Sequence, residues 1–300
     1  MKIGVIMGGV SSERDISLIS GKEVLDNLDS SKYEVFPIVI DKKEDIITKV
    51  KDIDFAFIAL HGKFGEDGTV QAVLQTLGIP FSGCNTLTSG ICMDKDMTKK
   101  VLKAGGVTTA DWISVKLKND IDFNEVNKMG YPLFVKPNSG GSSVATTMVK
   151  DKEELLTSVD EAFKYDNEVM IEQYIKGDEI TCCVLDRKML PVIMIKPTSE
   201  YFDYKSKYTD GGAVESIIEL PEELHKKVET LALKCWDVLK CSVYTRVDML
   251  IRDGEPFILE LNTLPGMTKN SLFPKSAAAV GMSFPDLLNK IIELSLKENR

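Results

Sequence analysis

The sequence predicts an α/β protein, with a parallel, wound sheet at the N-terminus followed by two α+β units. Three observations lead there. Over roughly the first ninety residues, short runs of β-branched and aromatic residues alternate with helical patterns, as parallel strands joined by crossover helices do. A second stretch then sets four short strands around one helix, with Gly130-Tyr131-Pro132 and Gly177-Asp178 supplying turns. From Glu179 onward, longer strands come in succession with two long helices. The expected boundaries are 1–93, 94–178 and 179–300.

In chain order, Lys2 to Met7 reads as a strand, followed by Gly8-Gly9 and a Ser-rich cap. A helix from about Arg14 to Leu28 carries Ile16, Ile19, Val24 and Leu28 near helical spacing. Tyr33 to Ile40 and Phe55 to Leu60 are strands, Gly68 to Leu77 a helix, and Ile79 to Phe81 a short strand. A helix from about Asp94 to Lys103 leads into the second unit. Its strands are Trp112 to Lys116, Leu133 to Pro137, Ala145 to Val149 and Val169 to Tyr174, around a helix from Lys152 to Tyr165. The third unit has strands Ile180 to Leu185, Leu190 to Ile195, Val243 to Ile251 and Pro256 to Leu261. Its helices run from Glu222 to Leu239 and from Phe284 to Lys297. The polar segment Thr198 to Ala213 is long enough to predict a functional loop.

Bulk properties narrow the function. A net charge of −9 argues against nucleic acid or an anionic membrane as partner, so a phosphate ligand needs locally placed cations. The apolar runs are strand-sized and too short to span a bilayer. The N-terminus enters a strand directly, with neither the apolar core nor the cleavage site of a signal peptide, which predicts a cytoplasmic protein. Six cysteines stand without a C-x-x-C pair, and with two histidines beside them they predict buried, reduced thiols rather than a zinc site.

Three constellations carry chemistry. Arg246 and Asp248 fall on one face of one strand, Glu260 and Asn262 on one face of the next. Two carboxylates and an amide are hard oxygen donors suited to magnesium bound with substrate phosphates. The surrounding strands read as buried, where charges need partners. Next, Lys136 ends a strand and Asn138-Ser139-Gly140-Gly141-Ser142-Ser143 follows. Such a loop offers backbone N–H groups and hydroxyls to phosphate oxygens, though its order of glycine and lysine is not that of a Walker A loop. Lys95 is a candidate second cation. Finally, His61 to Gly68 and Gly8 to Glu13 sit at the carboxyl ends of strands in a wound sheet, where ligands bind. His61 and Glu13 there suit a small ammonium group. A dinucleotide fold fails, because Gly4, Gly8 and Gly9 do not match G-x-G-x-x-G and Gly4 lies inside the strand.

Taken together, "HGKFGEDGTVQ", "MDK", "VKPNSGGSSV", "EQYIKGDEIT", "FDYKSKY", "RVDML" and "LELNTLPGMTKNSL" stand in an order that resembles the D-alanine–D-alanine ligases of the ATP-grasp superfamily. The resemblance covers essentially the whole chain. It implies an ATP-grasp fold, with the central unit as a lid and ATP between it and the C-terminal sheet. Lys95, Lys136, Lys207, Ser142 and Ser143 would serve the phosphates, and Glu179 the ribose. Glu172 and the backbone near Tyr174 and Ile175 would face adenine, with Leu250 and Leu259 packed on it. Asp248, Glu260 and Asn262 would bind two magnesium ions, manganese being the substitute ion. Glu13, near His61, would take the first D-alanine's ammonium, and Ser271 and Leu272 would set the second substrate's carboxylate. Arg246 and the Gly266 N–H would stabilise the tetrahedral oxyanion, while Glu13, Ser142 and Tyr208 form a hydrogen-bonded set. Relatives that make the ester with D-lactate lack this tyrosine. Ala145 and Met194 depart from commoner forms, which have glycine and a charged residue there.

What the resemblance implies, then, is ATP-dependent joining of two D-alanines through a D-alanyl phosphate, for peptidoglycan synthesis, by a cytoplasmic homodimer. The alternatives are an ATP-grasp ligase for another acid and amine, and a non-catalytic ATP-binding module.

Overall fold

The computed structural model describes residues 1–141, 143–197 and 212–300. Ser142, Lys207, Tyr208 and most of the 198–213 segment lie outside the described residues.

The expected parallel sheet is present. β1 (Lys2–Gly8) lies between β2 (Glu34–Ile40) and β3 (Phe55–Ile58), and both pairings are parallel. Ile3, Val5 and Ile6 of β1 and Phe55 to Ile58 of β3 are buried, so these strands read as continuous apolar runs rather than alternating ones. The strand expected at Ile79 to Phe81 is instead a single bridge between Ala56 and Phe81. Pro80 has no N–H to extend a ladder there. A helix that the sequence reading missed, Thr86–Met93, is capped by Asn85, whose side chain accepts from the Thr88 N–H at 2.9 Å. Asp94 then caps the Lys95–Ala104 helix, accepting from the Met97 N–H.

The second sheet is antiparallel, in the order β4 (Trp112–Val115), β7 (Val169–Gln173), β5 (Leu133–Pro137), β6 (Thr147–Val149). Along β5, Leu133, Val135 and Pro137 are buried, Leu133 and Val135 in the core shared with Leu155 and Val159 of the Lys152–Ala162 helix. Phe134 and Lys136 point to the other face. That face is open to ligands.

A third, antiparallel sheet orders β11 (Ala213–Ile217), β10 (Ile193–Pro197), β8 (Asp178–Leu185), β12 (Tyr244–Arg252) and β13 (Glu255–Asn262), with β9 (Lys188–Met189) paired to β8. The Glu222–Val238 helix buries Val228, Ala232, Cys235 and Trp236 against it, and Leu102 and Val107 join the same core. The Phe284–Ser295 helix instead packs Leu287, Leu288, Ile291 and Ile292 into the core of the first sheet. All six cysteines are free and buried, as expected. Burial pushes the Cys183 and Cys235 thiols up to about 12, which keeps them protonated and unreactive. Among the described residues no helix is long and apolar enough to cross a membrane.

Candidate active site

A cleft of about 1020 Å³ lies where the three sheets meet. Every described residue given a site role on the sequence lines it: Glu13 and His61 from the loops of the first sheet, Lys95, Lys136, Gly140, Gly141 and Ser143, and Glu172, Tyr174 and Ile175 with Glu179. Arg246, Asp248, Leu250, Leu259, Glu260, Asn262, Gly266, Ser271 and Leu272 complete the set.

Register explains the acidic wall. Arg246 pairs with Asn262 and Asp248 with Glu260 across β12 and β13, so alternation sets all four side chains on one face. Beyond Asp248 the register slips, and Met249 pairs with Ile258. Leu259 is the extra residue of this bulge, which lets Leu259 and Glu260, neighbours in sequence, both line the cleft. Strict alternation would have turned Leu259 to the opposite face.

Asp248 is saturated with donors. Arg246 grips it from Nε at 2.9 Å and Nη2 at 2.7 Å, Thr181 Oγ1 donates at 2.5 Å and Asn262 Nδ2 at 3.0 Å. A carboxylate accepts about four hydrogen bonds, so a cation entering at Asp248 displaces a donor. Burial alone would lower the Arg246 pKa, but Asp248 and Glu260 outweigh it and raise it, which fixes the guanidinium as a cation. Two carboxylates and an amide at facing register positions still fit a hard divalent ion. Thr181, which sequence reasoning passed over, is the register partner of Asp248 on β8 and closes the motif "EQYIKGDEIT".

On the second sheet, Glu172 faces Phe134 in register and lies diagonal to Lys136. Lys136 Nζ donates to Glu172 Oε2 at 2.5 Å, and Lys99 Nζ stands 2.5 Å from Oε1. Burial would raise the Glu172 carboxyl, but Lys136 and Lys99 together outweigh it and hold the group at about 2. The phosphate-loop candidates are pinned from below. Asn138 is buried and anchors the loop to the "MDK" helix: its Oδ1 accepts from the Asp96 N–H at 2.8 Å and its Nδ2 donates to Asp94 at 2.9 Å. Lys95 donates to the Gly140 carbonyl at 2.6 Å. Ala145 holds a φ of +52°, the left-handed backbone that glycine adopts freely and alanine at a cost of about 1–2 kcal/mol. Met194 pairs with Ile180 and Ser216, while Ile195 and Lys196 beside it line the cleft.

On the first sheet, Ser11 ties two loops together, its hydroxyl donating to the His61 carbonyl at 2.6 Å and accepting from the Glu13 N–H at 3.2 Å. His61 is held between Ser20 Oγ, 3.0 Å from Nε2, and Glu66 Oε1, 3.4 Å from Nδ1. Glu13 is packed between two glycines. A Cβ at Gly62 would fall 2.5 Å from Glu13 Oε2, and one at Gly141 would fall 3.0 Å away. At the far side of the cleft, Ser271 Oγ accepts from the Thr268 N–H at 3.1 Å, and a Cβ at Gly266 would lie 3.0 Å from it.

Comparison with known proteins decides what this cleft belongs to. A family model described as D-ala D-ala ligase C-terminus matches residues 101–293, and one described as D-ala D-ala ligase N-terminus matches residues 2–50 and 42–84. The chain belongs to the D-alanine–D-alanine ligase family. It is 65% identical over 300 residues to a D-alanine–D-alanine ligase of Clostridium botulinum (strain Okra / Type B1), with 100% of both chains covered. Among solved structures, the D-alanine–D-alanine ligase of Bacillus anthracis matches with a TM-score of 0.93 at 55% identity, over 99% of this chain and 98% of that one. The Bacillus anthracis enzyme complexed with ATP matches with a TM-score of 0.91 at 52% identity, with the same coverage.

Membership of the ligase family agrees with the resemblance read from the ordered motifs, and the mixed α/β fold matches family structures over nearly the whole chain. Lys99, Thr181 and Ser20 were not singled out on the sequence, and Asn138 was read only as the start of the phosphate loop. Each is a buried polar residue facing another polar group across a gap of more than ten residues or from another element. In the sequence, they look like any lysine, asparagine, threonine or serine on a helix or strand.

Proposed function

We propose that this protein ligates two D-alanines at the expense of ATP, through a D-alanyl phosphate, to supply D-alanyl-D-alanine for peptidoglycan synthesis. The observation that carries the reading is one cleft lined both by the Glu13 and His61 loops and by the Arg246, Asp248, Glu260 and Asn262 wall. On this reading the cleft takes a small amino acid beside a nucleotide, and the chain is divided into units 1–93, 94–178 and 179–300.

In this reading the ATP phosphates lie at Lys95, Lys136, Lys207 and the loop with Ser142 and Ser143. The ribose meets Glu179. The adenine meets Glu172 and the backbone at Tyr174 and Ile175, between Leu250 and Leu259. Glu13 receives the ammonium of the first D-alanine beside His61, which leaves its carboxylate to attack the γ-phosphate. Asp248, Glu260 and Asn262 would hold two magnesium ions, which when bound neutralise phosphate charge. The amine of the second D-alanine, set by Ser271 and Leu272, then attacks the acyl carbon. Its tetrahedral oxyanion is stabilised by Arg246 and the Gly266 N–H, and phosphate leaves as the amide forms. Tyr208, with Ser142 and Glu13, orients the closed site and favours an amine over the hydroxyl of D-lactate. We place the enzyme in the cytoplasm as a homodimer, on family grounds.

Incubation with ATP, magnesium and D-alanine should release phosphate and form the dipeptide, with L-alanine and no-amino-acid controls near background. Phosphate release independent of D-alanine would overturn the ligase reading.

The two glycines around Glu13 give a sharper check. Gly62 has a φ of +72°, and a methyl group there meets the Glu13 carboxylate at 2.5 Å. Gly62→Ala should raise the KM for the first D-alanine about tenfold, the change that roughly 1.4 kcal/mol produces, with the KM for ATP almost unmoved. An unchanged D-alanine KM would remove Glu13 from that subsite.

A further inference from the structure

Lys99 is a buried cation that the proposed mechanism does not use. It is 2% exposed, and Glu172, which it faces, is also 2% exposed. Its ammonium donates to Thr109 Oγ1 at 2.6 Å and to the Ala110 carbonyl at 3.0 Å, and forms an ion pair with Glu172 Oε1 at 2.5 Å. The Trp112 ring covers it at 5.2 Å. Held by these partners, Lys99 lies outside the lining of the cleft, whereas Lys95 and Lys136 are part of it. Thr109 in turn donates to the Ile258 carbonyl of β13 at 3.0 Å, which fixes the ammonium against the third sheet.

We propose that Lys99 is a positioning residue for nucleotide selection: it is the permanent counter-ion of Glu172, keeping that carboxylate ionised when Lys136 turns to phosphate, so that the site takes a 6-amino purine and refuses a 6-oxo purine. The inference rests on the reading that Glu172 faces the base. Its physical content is a charge count. In the structure one carboxylate is shared by two ammonium groups. Once Lys136 binds phosphate, a buried carboxylate without Lys99 would stand alone and take up a proton. An ionised Glu172 only accepts hydrogen bonds, which suits an exocyclic amine and sets acceptor against acceptor for a 6-oxo group. A protonated Glu172 donates, and the preference weakens or reverses. Among the described residues, the charged groups around the Lys99–Glu172 pair are Lys136 on β5 and, farther out, the exposed Asp111 before β4. Burial lowers the Lys99 pKa and Glu172 opposes that, so the ammonium depends on the carboxylate in return.

The test is equilibrium binding of ADP and IDP, between pH 5.5 and 7.5, where neither base changes its protonation, to the intact protein and to Lys99→Met, Lys99→Gln and Glu172→Gln. Melting temperatures serve as the folding control. The unmodified protein should prefer ADP by the same factor at every pH. Lys99→Met should narrow that preference at least about tenfold at the acid end and recover it as pH rises, because a site built to hydrogen-bond one partner loses that much when the bond is lost. Lys99→Gln keeps a neutral donor of similar length and stands in where the methionine variant does not fold; it should show the same pH-dependent narrowing. Glu172→Gln should lose the preference at all pH values alike. A folded Lys99 variant with the parent's pH-independent preference, beside a Glu172→Gln that has lost it, would make Lys99 a structural filler and overturn the proposal alone. A Glu172→Gln that keeps the preference would overturn the base-facing reading and the proposal with it.

Discussion

Replacing Glu260 by glutamine should abolish turnover while the fold survives, and Asn262→Ala should do the same. Glu260 stands opposite Asp248 in register, on a wall of hard oxygen donors at the cleft. In phosphoryl transfer the largest local charge comes from the bound cation, so a lost carboxylate ligand removes far more than one hydrogen bond. Both side chains line the cleft, half-buried, and neither supports a core, so melting temperatures should move little. The loss should deepen at limiting magnesium. Near-parent rates in scarce magnesium would take Glu260 out of the metal site.

Arg246→Ala should lower kcat by on the order of a hundredfold or more while raising the KM for ATP far less. The split between kcat and KM depends on when the contact strengthens. In the structure the guanidinium forks onto Asp248, at 2.7 Å and 2.9 Å, and lines the cleft as a fixed cation. Charge that develops on the acyl oxygen during attack meets that cation only as the transition state forms. Substrate binding is therefore less affected than rate. The deletion also strips two donors from Asp248, so the variant's fold should be checked by melting before its kinetics are read. An effect confined to KM would make Arg246 a ground-state binder.

How legible the site was depended on how far apart its parts lie in sequence. Arg246 with Asp248, and Glu260 with Asn262, could be placed on common faces because strand periodicity is local. Their register, and therefore Asp248 opposite Glu260, needed the pairing of β12 with β13. Leu259 marks where periodicity stopped serving, since a bulge is one extra residue and leaves no pattern in composition. The loop from Asn138 to Ser143 was visible as small polar residues after a strand, but the anchoring role of its buried Asn138 was not. Its partners lie more than forty residues earlier in the chain.

The sequence by itself determined the parallel first sheet, the strand-rich remainder, the reduced cysteines and the family, because each rests on local periodicity, composition or ordered motifs. Tertiary structure decided the rest. It reduced the strand expected at Ile79 to Phe81 to one bridge, set Lys136 and Lys99 on the two oxygens of Glu172, and filled Asp248 with donors. The reason is physical: a buried charge is stable only with partners, and those partners are chosen by which elements pack together, not by neighbours along the chain.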